Sequence, residues 1–267
     1  MSGSGANGGG DGLYGKGEPI RLPSREPQGK PLARRFYTSV AVGPVASGPC
    51  HAILLDGRAA RTPAKHPLTL PTHALAEAVT AEWAAQVAEI TPARMPLTRL
   101  VNTAIDGVAG RGPEVAADVV KYAGSDLLCY RAQFPEGLAK RQSLLWDPIL
   151  AWAKERHGAE FRTGQGILHV EQPTATADRL RQVVAPLDAF RLTALHVMTT
   201  LMGSAVLSLA VLDGRLDAAA AWEAAHVDED WQISEWSSDA EAVARREQRW
   251  REMQAAAALL GLLDGSA

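Results

Sequence analysis

Residues 51–87 read HAILLDGRAARTPAKHPLTLPTHALAEAVTAEWAAQV, and two incompatible periodicities meet inside them. Residues 53–55 are apolar and β-prone, and Asp56-Gly57 comes directly after them. An Asp-Gly pair tolerates positive φ at both central positions of a tight turn, so 53–55 and 58–61 are predicted to form a hairpin. Pro63 and Pro67 remove backbone donors from the next stretch, 62–70, which suits an edge or a loop. At Pro71 the pattern changes. Thr72 can cap a helix that carries Leu75, Val79, Trp83 and Val87 at four-residue intervals. Upstream, residues 36–42 are rich in β-formers, and Gly43-Pro44 ends that run.

Beyond residue 90 the signals are helical. Leu97, Leu100, Val101, Ala104, Ile105 and Val108 make an amphipathic stripe. Pro113 can open the next helix from its first turn. Residues 138–146 continue helical, and Asp147-Pro148 reads either as a cap with the first residue of a further helix or as a kink. Gly164 and Gly166 interrupt the helices beside a β-like run, 167–170, which is predicted to return to the first sheet. After Pro173 helices resume. Asp188 can cap a long apolar helix reaching residue 212, where Asp213-Gly214 stops it. Two more helices are expected, at about 217–235 and 239–262. The fold class is therefore α+β. Residues 1–32 form a Gly/Pro-rich disordered tail, 33–90 a small β-rich domain, and 91–267 a larger, mostly α-helical domain. Regular βα alternation is absent, which argues against a doubly wound nucleotide fold.

Composition narrows the function. With 46% hydrophobic and 21% charged residues the 267-residue chain is globular. A formal charge of −3 does not suit a nucleic-acid binder. Cys50 and Cys129 lie far apart and have no metal-ligand spacing, so a reducing compartment is expected. Residues 192–212 are apolar enough to raise the question of a membrane. Yet His196, Thr199, Thr200, Gly203, Ser204 and Ser208 interrupt them, so a buried helix is expected and no membrane insertion. The N-terminus shows neither an apolar signal core nor an Arg-rich amphipathic pattern.

Most motifs for small-molecule chemistry fail their structural conditions. Gly3 to Gly8 matches a G-x-G-x-x-G string, but no strand precedes it and no helix comes after it. Gly10 to Lys16 resembles a phosphate loop, but Gly17 has no hydroxyl for magnesium and Pro19 blocks the helix. The seven histidines do not cluster, and no H-E-x-x-H or G-x-S-x-G string occurs. His196 suits a core histidine. The densest polar and aromatic run is 226–242, HVDEDWQISEWSSDAEA. Asp228, Trp231 or Gln232, and Glu235 share one helical face. His226, Asp228 and Glu229 could serve a hydrolase or a metal site. The same run could be a solvated acidic face, or a partner-binding edge of a helical adaptor with Trp231 and Trp236 as anchors. Ser238 and Glu241 have the spacing of a capping box, and Glu241 can also pair with Arg245 one turn on.

Several strings, taken together and in order, resemble one family. They are Arg35-Phe36-Tyr37; Leu55-Asp56-Gly57-Arg58 with Thr62-Pro63-Ala64-Lys65; Leu70-Pro71-Thr72; Ala81-Glu82-Trp83; and 95–100 with Asn102-Thr103-Ala104. Further on come 126–131, Gln142 with Trp146-Asp147-Pro148, Gly203-Ser204, and 228–232. The set covers about 34–260. It is similar to the mitochondrial and alphaproteobacterial chaperones that assemble the F-type ATP synthase by binding its alpha subunit. The resemblance implies a small β-containing domain and a larger helical one, with no catalysis, metal or cofactor. The expected partner is the free alpha subunit, held until beta replaces it, and the unbound state is expected to be a monomer. Trp236 to Ala242 aligns with the family's Trp-Gly-x-Asp-x-Glu-Ala motif, with Ser237 in place of glycine. That alignment points to Glu241, then Asp239, as partner-binding residues, with Trp236, Asp228, Glu229 and Asp230 beside them. Trp83, Asp56 and Gly57 are expected to be structural. The expected location is the bacterial cytoplasm, or the mitochondrial matrix in a eukaryote.

Overall fold

A computed structural model describes residues 31–45, 48–166, 168–235 and 240–265. The predicted tail, apart from 31–32, lies outside them. Four strands make the first sheet: β1 (Val40–Pro44), β2 (His51–Leu55), β3 (Arg58–Ala59) and β4 (Thr69–Leu70). β2 is central, with β1, β3 and β4 all antiparallel to it. The β2–β3 turn has φ 49° at Asp56 and 78° at Gly57, the primed geometry that matches strand twist. Asp56 also accepts from the backbone of Ser39 (2.8 Å) and Thr38 (3.0 Å) and from both hydroxyls. These bonds, that from the Ser39 backbone foremost, hold its carboxyl down at about 2.

The buried face of β2, Ile53 and Leu55, packs on helix α1 (His73–Ala84) through Leu75 and Val79. Thr72 caps α1 by accepting from the Leu75 amide, and its own hydroxyl donates to the Leu262 carbonyl at 2.7 Å. Trp83 lies against the Tyr37 ring at 5.6 Å, and its carbonyl accepts the Tyr37 hydroxyl at 2.8 Å. The predicted stripe does not extend to Val87, which lies past the helix end and is 78% exposed. Gln86 turns inward instead, bonding the Glu82 carbonyl and the Thr91 amide. A buried polar side chain that satisfies two backbone groups ends the helix.

A 3₁₀ turn (Pro92–Arg94) leads to α2 (Pro96–Thr103), which runs into a π-helical turn (Ala104–Val108) and then α3 (Gly112–Ala123). A second 3₁₀ turn (Leu127–Cys129) precedes β5 (Tyr130–Arg131) and the long α4 (Glu136–His157). Pro148 lies inside α4, so Asp147 is not a cap; it accepts from Arg131 at 2.6 Å. The carbonyl that loses its donor belongs to Leu144, which is 75% exposed, so water can satisfy it. The strand expected at 167–170 is not found, since 168–170 are not in a strand; the short β6 (Gly164–Gln165) before them pairs in parallel with β5 as a separate two-stranded sheet. The remaining helices are α5 (Thr174–Val184), α6 (Ala189–Met202), α7 (Ala205–Leu212), α8 (Ala218–Ala225), α9 (Val227–Glu235) and α10 (Ala240–Asp264).

Two predicted helices are thus split. That at 217–235 breaks at His226, and that at 188–212 breaks at Gly203, which takes φ 66°. Asp126, fully buried, explains the second break. It accepts from the Ser204 hydroxyl (2.7 Å), the Val206 amide (3.1 Å) and the Leu128 amide (3.1 Å). Ser204 in turn caps α7 by accepting from Leu207. One apolar cluster then joins the sheet to the helices, with Ile53, Leu70, Leu75, Trp146, Met198 and Leu259 all in it.

Burial pushes the Asp126 carboxyl up to about 6, against the pull of its donors. Its folded value lies above the unfolded value of about 3.9, so the native state takes up this proton first as pH falls. Relative to Asp126→Asn, the wild type should gain about 2 kcal/mol of stability between pH 7.5 and pH 4.5. Urea unfolding of both proteins at the two pH values checks this, and a pH-independent difference would refute it. Trp83→Arg should cost about 2–4 kcal/mol, because it removes the ring from Tyr37 and brings a charge to a half-buried face. A thermal midpoint close to that of the wild type would contradict that role.

Candidate partner-binding groove

Three helices build an open concave surface. Asp217 caps α8 by accepting from the Ala220 amide at 2.7 Å. His226 closes that helix, and α9 departs in a new direction. The imidazole of His226 lies against the Trp222 ring with centroids 3.8 Å apart, and its Nδ1 reaches the Trp222 carbonyl at 2.8 Å. Burial pushes its pKa below the usual value despite that hydrogen bond and the nearby Glu229, so the ring is neutral at pH 7 with its proton on Nδ1. From α10, Trp250 packs on Trp222 at 5.4 Å. The Arg249 guanidinium lies 5.8 Å from the same ring and donates to the Leu201 carbonyl.

Between α9 and the first half of α10 these side chains leave a groove of about 1080 Å³. Trp222, Ile233, Val243 and Trp250 supply its apolar lining, and Glu229, Arg245, Arg246 and Glu247 its charges. Ile233 and Val243 are 44% and 41% exposed. A lining that is apolar within and charged at the rim resembles half of a protein interface.

The predicted site residues divide between this groove and the interior. Glu229 lines the groove. Glu241, in the first turn of α10, is exposed and pairs with Arg245 at 2.6 Å. Asp230 pairs with Arg246 at 2.5 Å and ties α9 to α10. Asp228 accepts from buried Gln142 at 2.6 Å, and Gln142 accepts from the Ala132 amide, so this carboxylate fastens α9 to α4. Trp231 strengthens the same joint, its ring lying over Gly137. Trp236, Asp239 and the Ser238 cap lie outside the described residues. His226, Asp228 and Glu229 therefore engage three different surroundings. Among the described residues, no group of three or more His, Cys, Asp or Glu could hold a metal ion. Both cysteines are free, and burial pushes the Cys129 thiol up to about 12.

Sequence patterns do not single out Trp222, Trp250, Val243 or Arg249. They come from two helices and meet only in three dimensions. The one signal for them is the aromatic pair flanking the acidic run.

The sequence profile described as ATP12 chaperone protein matches residues 34–154. The crystal structure of Atp12 from Paracoccus denitrificans aligns with a TM-score of 0.82 at 44% identity, covering 86% of this chain and 98% of that one. The chain belongs to the ATP12 chaperone family. The Atu1473 protein of Agrobacterium tumefaciens shares 45% identity with a TM-score of 0.84, over 88% of this chain and 87% of that one. The mitochondrial atp12 protein of Schizosaccharomyces pombe is 24% identical over 224 residues, which is 79% of this chain and 76% of that protein. The ATP12 resemblance seen in the sequence is thus the family found by the comparisons. Among the described residues no helix is long and apolar enough to cross a membrane.

The Trp231–Gly137 contact gives a prediction. A Cβ added at Gly137 would lie 2.6 Å from the indole tip. In an open helix Gly→Ala gains up to about 1 kcal/mol. Here Gly137→Ala should instead destabilise by about 1–3 kcal/mol, because α9 must move off α4. Chemical denaturation decides the sign.

Proposed function

We propose that this ATP12-family chaperone serves the assembly of the F-type ATP synthase by binding the free alpha subunit and keeping it soluble until beta displaces it. The observation that carries this reading is the open groove beside the first turn of α10. It joins exposed apolar side chains to a charged rim that includes Glu229, with Glu241 one helical turn from the rim residue Arg245. An unassembled subunit exposes apolar surface that another subunit will later cover, and such surface aggregates. A partly charged groove of modest size suits a partner that must later be released.

No bond is made or broken in this reading. It is supported by the dispersal of His226, Asp228 and Glu229 among Trp222, Gln142 and the groove. Glu241 is the leading contact residue, with Glu229 across the groove. The sequence motif adds Trp236 and Asp239 as further proposed contact residues. The proposed location is the bacterial cytoplasm, or the mitochondrial matrix in a eukaryote, and the proposed free state is a monomer.

The test uses purified protein and free alpha subunit. Wild type should form a complex and suppress alpha aggregation in light scattering. Glu241→Lys should weaken the complex at least about tenfold, equivalent to about 1.4 kcal/mol. It should lower stability by no more than about 0.5–2 kcal/mol, the range for a lost interaction at a helix N-terminus, and the variant should remain folded. No complex with wild-type protein, and equal aggregation with or without it, would remove the proposal. Unfolding of the variant would reduce Glu241 to a structural residue.

A further inference from the structure

The loop after the first hairpin is held with more care than a connection needs. Residues 57–74 contain Arg58, Arg61 and Lys65 and no acidic residue. Thr62 is buried, while Arg61 and residues 63–67 are exposed. The Thr62 hydroxyl donates to Asp106 Oδ1 at 2.6 Å, His66 Nδ1 meets the same oxygen at 2.8 Å, and the Ala64 amide donates to Oδ2 at 3.0 Å. Three bonds close the loop on itself: the Thr62 amide to the His66 carbonyl, the Lys65 amide to the Thr62 carbonyl, and the His66 amide to the Thr62 hydroxyl. Arg61 adds a bond from its guanidinium to the Lys65 carbonyl at 2.8 Å. Burial pushes Asp106 up, but the bonds from Thr62, His66 and Ala64 outweigh it and hold the carboxyl below its usual value. It is therefore a fixed anion beneath the loop.

Two local irregularities converge here. Asp106 lies in the π-helical turn Ala104–Val108, closed by the Ala109 amide on the Ala104 carbonyl. Such turns insert one extra residue into a helix and recur at functional sites. At the loop tip Lys65 has φ 69°, in the left-handed region that glycine takes without strain and asparagine more readily than lysine. Lys65 is exposed and has no ion pair among the described residues. A strained backbone, over-determined by its surroundings, motivates a functional hypothesis. Here the residue presented is a cation.

We infer that the loop 61–66 is a second contact surface of the chaperone, in which Lys65, flanked by Arg61 and His66, receives a carboxylate-bearing segment of the client subunit. This rests on the reading that the client is the alpha subunit. A compact ammonium on a flexible stem, at the tip of a rigid loop, suits a point contact with Asp or Glu side chains. Rim charges of this kind act through association rate and salt dependence.

The experiment compares wild type, Lys65→Glu, Lys65→Gly and Lys65→Arg, all as full chains, for binding to purified alpha at low and high salt. Lys65→Glu should raise Kd at least about tenfold at low salt and flatten the salt dependence. Lys65→Gly relieves the φ strain while removing the charge, so its melting temperature should equal or exceed that of the wild type while its binding weakens. A purely structural residue would not separate those two readouts. Lys65→Arg should bind like the wild type. Wild-type affinity in Lys65→Glu, in an assay where Glu241→Lys is impaired, overturns the inference and leaves the functional reading standing. Absence of wild-type binding overturns both. Lys65-dependent binding of polyphosphate with unchanged alpha binding also overturns it, in favour of a phosphate ligand.

Discussion

A helix buried over most of its surface is covered by other elements on most of its faces, and where it turns a corner inside the core the corner is dry. The segment from Ala189 to Leu212 meets that constraint at Gly203-Ser204, where the first amides of α7 point into the protein interior. Water cannot reach them, and an unpaired buried donor costs about 1–3 kcal/mol. The Asp126 carboxylate supplies the acceptors, with Ser204 as its relay. This one group lets α6 and α7 diverge. α6 then packs on α3 and α10, while α7 reaches α4 and α8. The same carboxylate orders the turn at Leu127–Cys129, which delivers β5 and Arg131. Arg131 in turn covers the Trp146 ring at 5.0 Å and pairs with Asp147.

The groove depends on this arrangement through α10. The second half of that helix, with Met253, Ala256, Leu259 and Leu263, is buried against the core. Its end is tied to the sheet region by Thr72 on the Leu262 carbonyl, and to α6 by the Arg191–Asp264 pair. Its first half leaves the core and is largely exposed. One helix is thus both anchor and groove wall. α9, fixed to α4 by Asp228–Gln142 and Trp231–Gly137, is the other wall. The acidic run, continuous in the sequence, is therefore divided by function. Asp228 and Asp230 hold the walls in place, and Glu229 and Glu241 face outward.

Legibility tracks the range of the interactions. The Asp56-Gly57 turn, the Thr72 and Asp188 caps and the stripe of α2 rest on neighbours within four residues, and each is readable from the sequence. Val87 and the 188–212 helix depart from expectation, and the sequence leaves both readings of Asp147-Pro148 open, because the deciding partner lies elsewhere. Inward-turned Gln86 replaces Val87, solvent at Leu144 tolerates Pro148, and Asp126 breaks the long helix from 78 residues away. The strand expected at 168–170 is not formed, and the pairing of β6 at Gly164–Gln165 with β5 is one that no local pattern encodes. The acidic run is visible as a place, but its groove is not, since Trp222 and Trp250 meet from separate helices.

The two surfaces argued for the client differ in physics, and the difference suits a holder that must let go. The groove offers exposed apolar side chains, whose burial by a partner resists dissociation. The Lys65 loop offers an exposed charge, which speeds encounter over roughly a Debye length of about 8 Å and adds little to the lifetime of the complex. Under the proposed function, capture is then fast and retention moderate. The ties beneath both surfaces are hydrogen-bonded carboxylates, Asp106 under the loop and Asp228 under α9.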